Sequence, residues 1–184
     1  MVYKIGFIGV PSSGKTTAAR NLYQKIKNYG LEVELVTEFA RDYMAQKGVP
    51  ISSPTEQLHV QKEQLKREIE STNNSPAFLI TDSPVLLGEI YLRHYYPKSI
   101  EHADASRLLS YVLPPYDILF HCPTRELTRD GIRFQTDKDL LGLEKQLKVV
   151  MTGLEYHAIP LPANYEERKS TLNDFAYKIN NNWR

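Results

Sequence analysis

A parallel α/β sandwich is the fold that the sequence predicts, and three observations predict it. Apolar runs of strand length alternate with longer stretches of helical periodicity along the chain, the pattern of a sheet covered by helices. The runs Ala77-Phe78-Leu79-Ile80-Thr81 and Ile118-Leu119-Phe120 are continuously apolar, as parallel strands buried on both faces are. The first apolar run, Ile5-Gly6-Phe7-Ile8, leads straight into Gly9-Val10-Pro11-Ser12-Ser13-Gly14-Lys15-Thr16, which is G-x-x-x-x-G-K-[ST] between a strand and a helix.

That loop explains why its residue types are needed. Gly9 and Gly14 permit positive φ and let phosphate oxygens approach the main chain. Successive N–H groups then point into the loop, and the helix N-terminus adds its partial positive charge. Lys15, expected to face solvent until a phosphate arrives, reaches the terminal phosphates, and the Thr16 hydroxyl can ligate Mg²⁺. The chain is expected to bind a nucleoside triphosphate, with Gly9, Pro11, Ser12, Ser13, Gly14, Lys15, Thr16 and Thr17 as its cradle.

The elements follow in order. Val2–Ile8 is the first strand, central because the phosphate loop follows it. The next helix buries Ala19, Leu22, Tyr23 and Ile26 on one stripe and ends at Gly30. Leu31–Thr37 alternates apolar and acidic residues, which reads as a half-exposed strand near a sheet edge. Glu38-Phe39-Ala40-Arg41 comes directly after it, with Glu38 and Arg41 one helical turn apart. They either face a crevice at the strand ends or mark a solvated helix start where Glu38 complements the dipole.

Ser53-Pro54-Thr55-Glu56 has capping-box form and starts a helix to about Ser71. So few apolar residues over that length suggest a helix lying across the sheet top or covering a site, while its glutamines Gln57, Gln61 and Gln64 read as solvated. Asp82 ends the buried strand that begins at Ala77. It either holds the Mg²⁺ shell, as a carboxylate near a phosphate loop can, or caps a Val85–Leu92 helix together with Ser83. A helix with Ala105, Leu108, Leu109 and Val112 inward stops at Pro114-Pro115, and Tyr116–His121 is the next strand. Pro123–Arg133 carries Arg125, Arg129 and Arg133 around Gly131, either a phosphoryl-transfer lid or a polar surface loop. Asp137 or Asp139 caps a helix with Leu140, Leu143, Leu147 and Val150 inward. Tyr156–Leu161 is a short final strand, and Asn164-Tyr165-Glu166-Glu167 starts a last helix with Leu172, Phe175, Ala176 and Ile179 inward.

At 184 residues with 41% hydrophobic and 24% charged residues, the chain suits one soluble domain spanning 1–184. A formal net charge of +1 creates no global field that demands a nucleic acid or a membrane. Its single cysteine, Cys122, forms no internal disulfide and reads as a buried inert thiol. No leader and no membrane-length apolar run are visible, so a cytoplasmic protein is expected.

The whole chain resembles the NadR-like P-loop kinases, the family of the ribosylnicotinamide kinase domain. The resemblance rests on the loop from Gly9 to Thr16, on Thr37-Glu38-Phe39-Ala40-Arg41-Asp42-Tyr43, on Gln61 and Glu63, on Asp82, and on Asp130-Gly131-Ile132-Arg133. It implies a P-loop NTPase sandwich of the nucleoside/nucleotide kinase type with an arginine-bearing lid at about 124–137. It also implies acceptor contacts at Glu38 and Arg41 and lid arginines at Arg129 and Arg133. Pro84 stands where the family commonly has a second aspartate, two positions beyond that of Asp82.

The expected chemistry is transfer of the γ-phosphoryl group of ATP to a hydroxyl of a nucleoside-like or nucleotide-like small molecule. Lys15 and the loop hold phosphates, Thr16 and Asp82 serve Mg²⁺, and Glu38 or Asp82 accepts the hydroxyl proton. Glu38, Arg41 and Asp82 bind the acceptor, while Arg129 and Arg133 stabilise the transferring group. Two alternatives stand beside it: a kinase acting on a nucleic-acid hydroxyl, such as a hydroxymethylated base, and a nucleotide-dependent ATPase or switch.

Overall fold

The computed structural model describes residues 2–112, 116–124, 135–155 and 157–182. Its sheet has five parallel strands in the order β2-β3-β1-β4-β5. These are β1 (Tyr3–Ile8), β2 (Val33–Val36), β3 (Phe78–Thr81), β4 (Ile118–His121) and β5 (Ala158–Pro160). The expected positions hold: β1 is central, β2 lies at an edge, and every residue of β3 is buried. In register, Gly6 of β1 faces Thr81 of β3 on one side and Leu119 of β4 on the other.

Side chains of β1 alternate between two cores, as a strand buried on both faces requires. Ile5 and Phe7 pack with Ala18, Ala19, Leu22 and Ile26 of α1 (Lys15–Asn28) and with Leu172, Ala176 and Ile179 of α7 (Tyr165–Asn182). Ile8 joins the opposite core, filled by Leu86, Leu87 and Ile90 of α4 (Leu86–Tyr95) and by Leu140, Leu143, Leu147 and Val150 of α6 (Asp137–Gly153). The apolar stripes read from the sequence on α1, α6 and α7 are therefore the ones that pack.

Three further helices cover the sheet on the α4 side: α2 (Phe39–Lys47), α3 (Pro54–Glu70) and α5 (Ile100–Val112). Ser53 caps α3 by accepting from the Glu56 amide at 3.2 Å, while the Glu56 carboxylate accepts from the Ser52 amide instead of closing a reciprocal box. One cap differs from expectation. α6 is capped by Thr136, whose hydroxyl accepts from the Asp139 amide while the Asp139 carboxylate accepts from the Thr136 amide. Asp139 is thus the N3 partner of a capping box, and neither it nor Asp137 is the cap. No helix among the described residues is long and apolar enough to cross a membrane.

Candidate active site

The loop after β1 takes the backbone that its glycines allow. Gly9 has φ +146° and Gly14 has φ +84°, a region that L side chains avoid. A Cβ on Gly9 would lie 2.5 Å from the Cys122 carbonyl oxygen, so the chain leaving β4 presses directly on the loop. Ser12 takes φ +65° without being glycine, a strain of the kind that collects at binding sites. Pro11 and Ser13 are buried, and Thr16 and Thr17 lie in the first turn of α1, Thr17 exposed.

Lys15 is where the loop departs from expectation. It is half-buried, and its ammonium donates to the carbonyl oxygens of Gly9 at 2.9 Å and Val10 at 3.0 Å. The cation braces the loop rather than waiting in solvent. An arriving phosphate would draw it away from those carbonyls.

Asp82 lies just beyond β3, beside this loop, and is 3% exposed. Burial pushes its carboxyl up from the usual range. The Thr16 hydroxyl, the charges of Lys15 and Arg20, and the Glu38 amide all act in the opposite direction, and Thr16 and the Glu38 amide do so as hydrogen-bond donors. Oδ1 of Asp82 has no hydrogen-bond partner among the described residues. An orphaned buried carboxylate oxygen beside a phosphate-loop hydroxyl fits a hard cation that keeps few protein ligands, as Mg²⁺ does. The competing role is not filled: the N-cap position of α4 falls on Val85, not on Asp82 or Ser83.

Glu38 occupies the N-cap position of α2, and its amide reaches Asp82 across the ends of neighbouring strands. Lys15, Thr16, Asp82 and Glu38 are thereby brought to one place. Arg41, also expected there, is exposed and does not line the adjoining cavity. Arg129 and Arg133 lie outside the described residues.

That cavity encloses about 770 Å³, its open mouth included. Glu38, Met44, Pro84, Tyr91 and Tyr95 contribute to its wall, with three glutamines of α3 on one side. Here the sequence reading is overturned. Gln57, Gln61 and Gln64 are 6%, 1% and 4% exposed and face the cavity, not solvent. With Glu68 at 2%, they form a buried polar stripe at i, i+4, i+7 and i+11. The signal was present: a helix with few apolar residues whose polar residues themselves recur at helical spacing has a polar inner face.

Gln64 Oε1 accepts from the Phe39 amide at 2.8 Å, tying α3 to the residue after Glu38. Gln61 is different. Neither its Oε1 nor its Nε2 has a partner among the described residues. A Cβ on Gly88 would stand 2.6 Å from Gln61 Cγ, so the glycine in α4 makes room for this side chain. Pro84, standing at the departure from the resembled family, adds apolar wall where a second carboxylate was absent from the sequence.

One residue was missed altogether. Arg168 of α7 is 3% exposed and donates through Nη1 to the Ser13 carbonyl at 2.8 Å and through Nε to the Pro162 carbonyl at 2.9 Å. It fastens the last helix to the phosphate loop across 155 residues of sequence. Nothing in its local sequence distinguishes it from a solvated helix arginine.

Comparison with known proteins agrees with this fold. A family model described as AAA domain (AAA_28) matches residues 4–168. No curated protein matches the chain in sequence. Among solved structures, NadR protein in complex with NR superposes with TM-score 0.72 at 17% identity, over 96% of this chain and 50% of that one. The chain therefore spans half the length of that NadR protein. Deoxyadenosine kinase from M. mycoides superposes with TM-score 0.65 at 14% identity, covering 97% of this chain and 99% of that one. Thymidylate kinase from Ehrlichia chaffeensis does so with TM-score 0.63 at 16% identity, covering 97% and 98%. At these identities the likeness shows a shared fold. With the family model spanning nearly everything from β1 to the first turn of α7, the chain belongs to the AAA domain family AAA_28, built on the NadR-like P-loop kinase fold.

Proposed function

We propose that this protein is an ATP-dependent kinase that phosphorylates a hydroxyl of a nucleoside-like or nucleotide-like small molecule. The observation that carries the acceptor class is Gln61. Its buried amide offers a donor and an acceptor side by side, unpaired, in a cavity walled by tyrosines and aliphatic side chains. A flat heterocycle or amide-bearing ring supplies the complementary edge, and the aromatic wall supplies its stacking surface. The same cavity is bordered by Glu38, whose amide reaches Asp82, so an acceptor lodged there has its hydroxyl end toward the phosphate loop.

The roles follow from this placement. Loop amides and Lys15 hold the β- and γ-phosphates of ATP. Thr16 and Asp82 hold Mg²⁺, whose charge offsets that of the phosphates. Glu38 or Asp82 accepts the hydroxyl proton, while Arg129 and Arg133 offset charge on the group in transit. Phosphoryl transfer needs positioning and electrostatics more than covalent chemistry, so these groups suffice. Structures of similar fold hold NR in NadR protein and dCMP in deoxyadenosine kinase, which supports an acceptor of this class.

The test is a screen with γ-labelled ATP against nucleosides, nucleotides, nicotinamide riboside and hydroxymethylated DNA. Label transfer to a small molecule supports the reading. Transfer to the DNA alone would move the acceptor to nucleic acid, and release of phosphate with no labelled acceptor would leave an ATPase.

A further inference from the structure

Glu68 is a carboxylate that the proposed chemistry does not use, yet it is 2% exposed at the lower end of the polar stripe on α3. Its Oε1 accepts the Val85 amide at 3.0 Å, and both of its oxygens take the Tyr116 hydroxyl, at 3.0 and 2.8 Å. The Tyr116 oxygen itself lies 3.0 Å from the same Val85 amide. Val85 is the N-cap position of α4, a helix whose cap residue has no side-chain oxygen to offer its first amides. A carboxylate from another helix and a phenol from the chain ahead of β4 take up the cap residue's own amide.

The capped amide sits three residues after Asp82, at the end of the turn Asp82-Ser83-Pro84-Val85. That turn carries Asp82 at one end, and Ser83, Pro84 and Val85 form part of the cavity wall. An apolar pair of similar volume would pack there at lower cost, because a buried ionisable group is expensive to keep. The retention of Glu68 needs a reason beyond stability.

We propose that Glu68 and Tyr116 are positioning residues for the active site: a buried carboxylate–phenol clamp that fixes the Val85 amide and thereby the aim of Asp82 and the shape of the acceptor wall. The proposal rests on the reading of Asp82 as a nucleotide-site carboxylate. The clamp itself does not depend on which acceptor is phosphorylated.

The groups that face Glu68 set how the clamp responds to pH. They are Tyr116 before β4, the Val85 amide ahead of α4, Lys4 on β1 acting through its charge, and Gln64 on α3. Burial is the largest influence and raises the carboxyl to about 7, with these four pulling it down. The closed clamp holds a proton that an opened, hydrated Glu68 releases above its ordinary value of 4.5. The clamp therefore opens more easily as pH rises toward about 7 and levels off above it.

Two measurements on the full chain test this. The first is the protection factor of the Val85 amide by hydrogen exchange between acid and alkaline pH. It should fall as pH rises toward neutrality in the native protein and stay flat in Glu68→Gln, and in Tyr116→Phe the fall should continue to higher pH. The second is ATP binding by calorimetry, with Mg²⁺ and with EDTA. Glu68→Gln should weaken the Mg²⁺-dependent part by about tenfold and leave binding in EDTA unchanged, since misaimed groups cost affinity and rate steeply. Should Glu68→Gln fail to fold, Tyr116→Phe serves both measurements alone. A Val85 protection factor that ignores pH overturns the clamp, and an unchanged Mg²⁺-dependent component overturns its reach to Asp82. Neither readout uses an acceptor, so failure of the phosphotransfer screen is distinguishable from failure here.

Discussion

Gln61 holds a buried amide that nothing among the described residues satisfies, and each such group costs about 1–3 kcal/mol when left unpaired. A binding site carries that cost when its ligand supplies the missing partner. Gln61→Leu should accordingly raise thermal stability by about 1–2 kcal/mol while raising the KM for the acceptor found in the screen by about 10²-fold or more. The KM for ATP should not move. An unchanged acceptor KM would return Gln61 to the role of a misfitted core residue. Lys15→Ala makes a second residue-scale prediction. It should abolish measurable phosphoryl transfer, and because Lys15 braces Gly9 and Val10 it should also speed amide exchange across the loop. Wild-type turnover in that variant would remove the loop from the mechanism. At this scale the sequence was legible where residue type is dictated by backbone, as at Gly9 and Gly14 with their positive φ. It was only partly legible at Gln61: the spacing of the glutamines on α3 marks a polar face, but which way that face turns depends on a packing partner, here Gly88, that the local sequence does not name.

Among the elements, α3 does two jobs with one face. Its upper glutamines line the cavity, and Glu68 at its lower end anchors the turn before α4. Keeping Glu68 raises a question of stability whose sign can be worked out. An acid whose folded value lies near 7, above its ordinary 4.5, binds more protons folded than unfolded between those values. Stability therefore falls as pH rises across that window, by a few kcal/mol at most, and levels off above it. The melting temperature of Glu68→Gln should lack that slope; an equal slope in both proteins would place the titration elsewhere. α7 supplies the other element-scale case. Arg168→Met keeps the apolar stem of the side chain but removes its bond to the Ser13 carbonyl. Loss of about 2 kcal/mol of stability and weaker ATP binding are expected, with the acceptor KM unchanged. Equal ATP affinity in the two proteins would make Arg168 a fastener of the fold alone. Helix positions were legible because apolar periodicity and Ser53 or Asn164 punctuation are local signals. The cap of α6 was misread because Thr136 precedes two aspartates that are equally good caps on composition, and only the reciprocal bonds with Asp139 decide among them.

At the scale of the molecule, the order β2-β3-β1-β4-β5 decides which side chains meet at the phosphate loop. β1 delivers the phosphate loop, its neighbour β3 delivers Asp82, and β2 at the edge delivers Glu38, all from strand ends on one side of the sheet. Asp82 therefore stands between the phosphate loop and Glu38, which borders the cavity one strand farther from the loop. This arrangement was legible from the first strand, the edge pattern of Leu31–Thr37 and the apolar run before Asp82. The cavity was not, since it is assembled from α2, α3 and α4, whose mutual packing no local pattern encodes. The separation makes Glu38→Gln the decisive substitution. It preserves shape and the backbone amide that reaches Asp82, but removes charge and proton-accepting capacity. If Glu38 is the base, kcat should fall by about 10²–10⁴-fold with the KM for ATP unchanged. If Glu38 only hydrogen-bonds an acceptor hydroxyl, the loss should fall on the acceptor KM and Asp82 takes the proton. Steady-state kinetics with ATP and acceptor varied separately distinguish the two. Constants near wild type in both would mean that the acceptor does not enter the cavity beside β2, and the placement of the phosphorylated hydroxyl at the end of β3 would fall with it.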